Sequence, residues 1–127
     1  PQRMMIGDET SQGVEFVLQS LDQMIGGEIF VPKIPSMNIM DLAKVLCPNN
    51  KVEIVGIRPG EKLHEIMVPK DDARSTFEYE NHYIIKPDFL PSKLFTGKRV
   101  NDDFEYNSET NPWKLEIEGM RRLINGP

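Results

Sequence analysis

Lys51-Val52-Glu53-Ile54-Val55-Gly56-Ile57-Arg58-Pro59-Gly60-Glu61-Lys62 is the stretch on which a reading of the fold turns. Val52 to Val55 is a short apolar, largely β-branched run and reads as a strand. Pro59-Gly60 reads as a turn, since proline fixes φ at about −65° and glycine accepts the positive φ that a following turn position often needs. Arg58 and Glu61-Lys62 flank that turn. A guanidinium is a planar fork of donors suited to phosphate or carboxylate, and a carboxylate accepts from sugar hydroxyls. The plainer alternative is a surface turn with solvated charges.

Upstream, Glu28-Ile29-Phe30-Val31 before Pro32 reads as another strand. Lys33-Ile34-Pro35 is extended because of its proline, and Ser36 or Asn38 caps a helix whose buried stripe is Ile39, Leu42, Ala43 and Leu46. Pro48-Asn49-Asn50 stops that helix, and Cys47 at its end reads as a small buried hydrophobe. Strand, helix and strand in succession predict a right-handed βαβ crossover with parallel strands. Ligands of such units gather outside the carboxyl ends of the strands, which here means Gly56-Ile57-Arg58.

Further out, a helix begins at Thr10 or Ser11. Val14, Val17, Leu18, Leu21 and Ile25 line one of its faces, and Gly26-Gly27 ends it. Downstream, Leu63 to Val68 is compatible with a helical turn running into a strand, and the pattern does not decide. Pro69 to Arg74 is a polar turn. Phe77 and Tyr79 alternate with Glu78 and Glu80, Asn81-His82 interrupts, and Tyr83-Ile84-Ile85 resumes, which predicts a β-hairpin with His82 in its turn. From Pro87 the chain turns linker-like, with isolated Phe89, Leu90, Leu94 and Phe95. After a loop over 107–112, Trp113 precedes a final helix bearing Ile117, Met120, Leu123 and Ile124. The fold class expected is α+β: a small lobe with a βαβ unit, a β-hairpin and an extended C-terminal tail ending in a helix. The domain division expected is 1–86 as a lobe and 87–127 as a tail.

With 127 residues the chain fits one modest core, and its 39% hydrophobic and 28% charged content is that of a globular protein. A formal net charge of −5 without a Lys/Arg cluster argues against a nucleic-acid partner. One cysteine excludes an internal disulfide and suits a reducing compartment, the cytoplasm. No apolar run is long enough to span a bilayer. The opening Pro1-Gln2-Arg3 reads as the start of a piece of something longer. There is no glycine-rich phosphate loop, no Tyr-x-x-x-Lys pair and no Cys/His metal spacing. His64, beside Glu65, is a secondary candidate for ligand contact. By its residues the chain binds something and does not obviously transform it.

Gly26-Gly27-Glu28-Ile29-Phe30-Val31-Pro32-Lys33-Ile34-Pro35-Ser36, Asp41-Leu42-Ala43-Lys44 and Gly56-Ile57-Arg58-Pro59-Gly60-Glu61-Lys62-Leu63-His64-Glu65 resemble the C-terminal part of the inverting UDP-N-acetylglucosamine 4,6-dehydratases. Phe104-Glu105-Tyr106-Asn107-Ser108 and Asn111-Pro112-Trp113 are similar to that family's tail. Arg3 to Ser11 departs from the basic-aromatic stretch the family carries there. The resemblance implies an extended short-chain dehydrogenase/reductase, a lyase making nucleotide sugars for capsule, lipopolysaccharide or flagellin glycosylation. It implies NADP in the parent enzyme, held by an N-terminal Rossmann half that is absent from this chain, so that this chain alone binds no cofactor and has no catalytic residue. It implies that Arg58 meets the pyrophosphate of UDP-N-acetylglucosamine or a related UDP-sugar, that Glu61 accepts from ribose hydroxyls, and that Lys62 is a lesser contact. It also implies a homo-oligomer. The alternative is an oligomer-assembly module, docked through the tail, with no ligand of its own.

Overall fold

The computed structural model describes residues 3–5, 10–53, 55, 56, 59–61 and 63–125. In chain order its elements are β1 (Arg3–Met5), α1 (Thr10–Gln23), β2 (Ile29–Pro32), β3 (Ser36–Asn38), α2 (Ile39–Leu46), β4 (Ile66–Val68), a 3-10 turn (Lys70–Ser75), β5 (Thr76–Glu78), β6 (His82–Ile85), a second 3-10 turn (Ser92–Leu94), β7 (Lys98–Arg99), β8 (Tyr106–Asn107) and α3 (Ile117–Asn125). The α+β class is the one expected. The chain forms two compact units that interleave along the sequence. One, the sheet unit, takes Gly7–Ile34 and Ile66–Tyr106; the other, the site unit, takes Pro1–Ile6, Pro35–Glu65 and Asn107–Pro127.

The sheet unit is built on a four-stranded antiparallel sheet in the order β2-β6-β5-β7. The expected hairpin is β5–β6, with Phe77 opposite Ile84 and Glu78 opposite Tyr83, closed by Tyr79 N–H donating to the His82 carbonyl at 2.9 Å. His82 is thus in a strand and not in the turn. Phe77, Ile84 and Phe95 form the core, with Phe30, Tyr79 and Leu90 packed against them. The Phe77 and Phe95 rings stack at 5.3 Å. Burying each such aromatic is worth about 1.5–3 kcal/mol, so this cluster carries much of the unit's stability. Gly97 is required by crowding: a Cβ there would lie 2.6 Å from the Tyr79 ring and 2.7 Å from the Glu78 carbonyl. Lys33 reaches Glu78 at 2.7 Å across the sheet, and the Tyr106 hydroxyl accepts from the Ile34 N–H and donates to the Ile34 carbonyl, both at 2.9 Å. Burial first, then the Glu78 carboxylate and Tyr106, push the Tyr83 phenol up to about 12.

Within the α+β class, the expected parallel unit gives way to a different pairing. β2 lies antiparallel to β6, not parallel to a strand at Val52–Val55. Val52, Glu53 and Val55 are outside any strand, while Ile54 lies outside the described residues. Two physical reasons account for this. A parallel strand needs both faces covered, and Val52 and Val55 are exposed. The backbone also changes partners between the prolines: β2 ends at Pro32, and α2 follows β3, which pairs antiparallel with β1 through Arg3↔Asn38, Met4↔Met37 and Met5↔Ser36. Asn38 is the cap, its Oδ1 accepting from the N–H groups of Met40 (2.8 Å) and Asp41 (3.4 Å). No residue of α2 is fully buried, and Cys47 is exposed where a buried position was expected.

The boundary expected at Pro87 falls inside the sheet unit. Phe95 enters its core, and β7 lies against β5 with Phe77 opposite Arg99. The last stretch belongs to the site unit, where Ser36 donates its N–H to Trp113 O (2.9 Å), Leu115 N–H donates to Ser36 O (2.8 Å), and α3 packs beside α2 with Met120 wholly buried. The apolar face of α1, and Ile25 just beyond its end, are not buried. Val14, Val17, Leu18, Leu21 and Ile25 are each more than half exposed, while Ser20 is buried and Phe16 turns its ring edge to His82 at 6.1 Å.

Candidate functional site

The segment around Pro59-Gly60 belongs to the site unit. Pro59 and Gly60 form the turn that the sequence predicts, and Gly60 has φ +85°, a conformation that side chains bearing a Cβ rarely adopt. Glu61 follows and is exposed. Arg58 and Lys62, two of the three predicted substrate contacts, lie outside the described residues. Glu61 is therefore the predicted contact whose place the structure gives.

Downstream, the segment is fastened to the C-terminal part of the chain. Glu65 donates its N–H to the Ser108 hydroxyl at 2.9 Å, and Ser108 returns its own N–H to the Glu65 carbonyl at 2.9 Å. His64 Nε2 lies 3.5 Å from a Glu109 carboxylate oxygen, while His64 Nδ1 is buried without a hydrogen-bond partner. The turn that supplies Ser108 and Glu109 is self-capped. Asn107 Oδ1 accepts from Glu109 N–H (2.9 Å), Thr110 N–H (2.8 Å) and the Thr110 hydroxyl (3.0 Å), and Asn111 N–H donates to the Asn107 carbonyl at 3.0 Å. One amide oxygen meeting three donors is what an asparagine does at a turn. Ser108 is wholly buried, and Asn107 and Asn111 nearly so.

Sequence reasoning read 107–112 as loop and missed this turn as part of the site. The available signal was the density of short hydrogen-bonding side chains in Asn107-Ser108-Glu109-Thr110-Asn111, each able to replace a backbone partner.

A cavity of about 510 Å³ in the same unit is lined, among the described residues, by Ser36, Asn38, Asp41, Lys114, Glu116 and others. In the sheet unit a cleft of about 290 Å³ lies between Phe16, Gln19, Ser20 and Gln23 of α1 and the hairpin residues Tyr79 to His82. His82 stacks on Tyr79 at 4.8 Å with its Nε2 buried and unpartnered, and burial, then the Lys33 charge, hold its pKa below the usual range. Glu28, at the start of β2, behaves oppositely. Burial raises its carboxyl, but N–H donors from Ile25, Gly26 and its own residue prevail and hold it below the usual carboxylate range.

Among the described residues no group of His, Cys, Asp and Glu is placed to hold a metal ion, and no helix is long and apolar enough to cross a membrane. The start of α2 does not fit the phosphates of a dinucleotide: it follows Ile34-Pro35-Ser36-Met37 and Asn38, with no glycine to let backbone approach a phosphate.

The family model described as polysaccharide biosynthesis protein matches residues 4–87. This chain belongs to that family. Among curated members, the inverting UDP-N-acetylglucosamine 4,6-dehydratase of Campylobacter jejuni subsp. jejuni serotype O:2 is 50% identical over 124 residues, covering 89% of this chain and 37% of its own length. UDP-glucose 4-epimerase of Rickettsia akari is 34% identical over 119 residues, covering 87% of this chain and 35% of that protein. The X-ray structure of Pen from Bacillus thuringiensis superposes with a TM-score of 0.73 at 27% identity, covering 91% of this chain and 34% of that one. The resemblance read from the Arg-Pro-Gly-Glu and Gly-Gly-Glu-Ile-Phe-Val-Pro blocks is thereby upheld, and this polysaccharide biosynthesis chain spans 37% of the length of the dehydratase it matches.

Proposed function

We propose that this chain is the UDP-sugar-binding portion of an NADP-dependent inverting UDP-N-acetylglucosamine 4,6-dehydratase, a cytoplasmic lyase of surface-polysaccharide biosynthesis. The observation that carries the reading is the Arg58-Pro59-Gly60-Glu61 sequence in a chain 50% identical to such a dehydratase. Arg58 meets the pyrophosphate as a charge-assisted fork, Glu61 accepts from ribose hydroxyls, and Lys62 adds positive charge beside them. By the resemblance, NADP belongs to another part of the longer protein, and no chemical step is assigned to this chain. Losing a charge-assisted phosphate contact costs about 1.5–3 kcal/mol, roughly ten- to a hundredfold in affinity. Titration of UDP into the chain by calorimetry should show saturable binding that Arg58→Ala weakens by about that factor and Glu61→Gln by less, because an amide still accepts a hydrogen bond. Equal affinity in wild type and a folded Arg58→Ala variant would remove the assignment.

One observation favours a second reading, an assembly module. The apolar stripe of α1 (Val14, Val17, Leu18, Leu21), with Ile25 after it, is exposed, as are Phe89 and Trp113. Sedimentation across a dilution series separates the two: the assembly reading requires self-association, the substrate reading a response to UDP.

A further inference from the structure

Ser36 is wholly buried, and its Oγ has no hydrogen-bond partner. Its backbone is engaged on both sides, the N–H donating to the Trp113 carbonyl and the carbonyl accepting from Leu115 N–H. Native structures seldom leave a buried hydroxyl unpaired, because nothing replaces its lost bonds to water. Ser36 also stands on the wall of the cavity of about 510 Å³. Strand register decides what shares that wall. Ser36 is bridged in parallel to Lys114, which puts the two side chains on one face, and Asn38, two residues along β3, joins them. Asp41 of α2 and Glu116 extend the polar lining. Asn38 Oδ1 is committed to capping α2, which leaves over its amide N–H groups. Asp41, Lys114 and Glu116 have no side-chain hydrogen bond or ion pair among the described residues, whereas Glu118, also on the wall, is paired with Arg121 at 3.1 Å.

We propose that this cavity binds an uncharged, hydroxyl-rich ligand, a sugar ring, with Ser36 Oγ as its innermost contact. Asp41 and Glu116 offer only acceptors, Lys114 and the Asn38 amide nitrogen offer only donors, and the Ser36 hydroxyl does both. An ion of either sign meets a like charge in this set. A sugar hydroxyl donates and accepts in turn, so it finds a partner at each position. Leu115 and Ile117 also line the cavity and supply apolar surface for the C–H face of a ring. A volume of about 510 Å³ falls among those of small-molecule sites, about 300–1,000 Å³, and leaves room for a hexose. Two unpaired carboxylates against one ammonium repel phosphates. The proposal therefore stands apart from the reading of Arg58 and Glu61 as UDP contacts.

The test is an amide NMR titration of the 127-residue chain with D-glucose, D-galactose and D-mannose in turn, at millimolar concentrations. At least one sugar should give saturable shifts at the amides of Ser36, Asn38 and Leu115, while those of Tyr79 and Lys86, bonded within the sheet unit, stay in place. Saturable shifts from none of the three would overturn the proposal. So would tighter binding at the same amides by spermidine or inorganic phosphate, the probes for an organic cation and an anion. One equivalent of UDP-N-acetylglucosamine should leave the sugar in place; displacement would make the cavity part of a nucleotide-sugar site and end the proposal. Ser36→Ala should bind the sugar about tenfold more weakly, as expected for one lost hydrogen bond. The same variant should keep or raise the melting temperature, since it removes an unpaired buried group. Equal sugar affinity in wild type and Ser36→Ala would overturn the proposal too. If Ser36→Ala unfolds, Asp41→Asn decides, because that side chain is only half-buried. It should weaken the sugar by about tenfold in a folded chain, and unchanged affinity there overturns the assignment.

Discussion

The sheet unit and the site unit are held together by different kinds of residue. In the sheet unit the buried side chains are chiefly apolar (Val31, Phe77, Tyr83, Ile84, Ile85 and Phe95) on a hydrogen-bonded ladder. Among the described residues of the site unit the buried hydrophobics are Met37 and Met120, and beside them stand Asn107, Ser108 and Asn111. Apolar burial is non-directional and scales with area, so it stabilises without specifying orientation. A buried hydroxyl or amide must meet its partner at a set distance and angle, so it specifies orientation and contributes little net energy. The difference teaches that one unit supplies stability and the other supplies placement.

The comparison breaks most visibly if its apolar side is cut. Phe77→Ala should destabilise the chain by about 3–5 kcal/mol, because it removes a stacked ring from the centre of the Phe77-Ile84-Phe95 cluster. Urea titration followed by circular dichroism checks it, and a loss under about 1 kcal/mol would contradict the division of labour. Asn107→Ala should cost about 2 kcal/mol, since it orphans the donors of Glu109 and Thr110 together. Exchange should quicken at Glu109 and Thr110 while Tyr79 and Lys86 stay protected; a uniform increase would mean that the two units do not respond separately.

The smallest effect comes from His82. Its folded pKa is lowered from 6.5 by burial and then by Lys33, with Glu78 and Glu80 the nearby carboxylates in sequence. Between the folded value and 6.5 the unfolded chain binds more protons, so stability is complete above about 6.5 and declines as pH falls below it. His82→Phe, which retains an aromatic ring against Tyr79, should flatten that decline in thermal melts at pH 5.5 and 7.5; an unchanged slope would assign the effect elsewhere.

These contrasts also explain what was legible in the sequence. The β5–β6 hairpin was, because alternation at Phe77, Tyr79 and Tyr83-Ile84-Ile85 is a local signal tied to a half-buried surface. The Pro59-Gly60 turn was, because proline and glycine act through their own backbones. Val52–Val55 misled because a four-residue apolar run says nothing of whether both its faces will be covered, and here Val52 and Val55 are exposed. The His82 turn assignment failed by a residue or two, the usual uncertainty of element boundaries. The joint between Glu65 and Ser108 was invisible for a different reason. A serine hydroxyl carries no periodicity, and its partner lies 43 residues away.

The interleaving of the two units has a consequence for synthesis. Residues Gly7–Ile34 and Ile66–Tyr106, which complete the sheet, all leave the ribosome before Asn107 does. The hairpin closes over a few residues at small entropic cost, whereas the unit of Pro35–Glu65 is completed only by Asn107–Pro127. During translation the Arg-Pro-Gly-Glu motif is therefore made early and fastened last, and a nascent chain that stalls before Ser108 carries the motif with no joint to hold it.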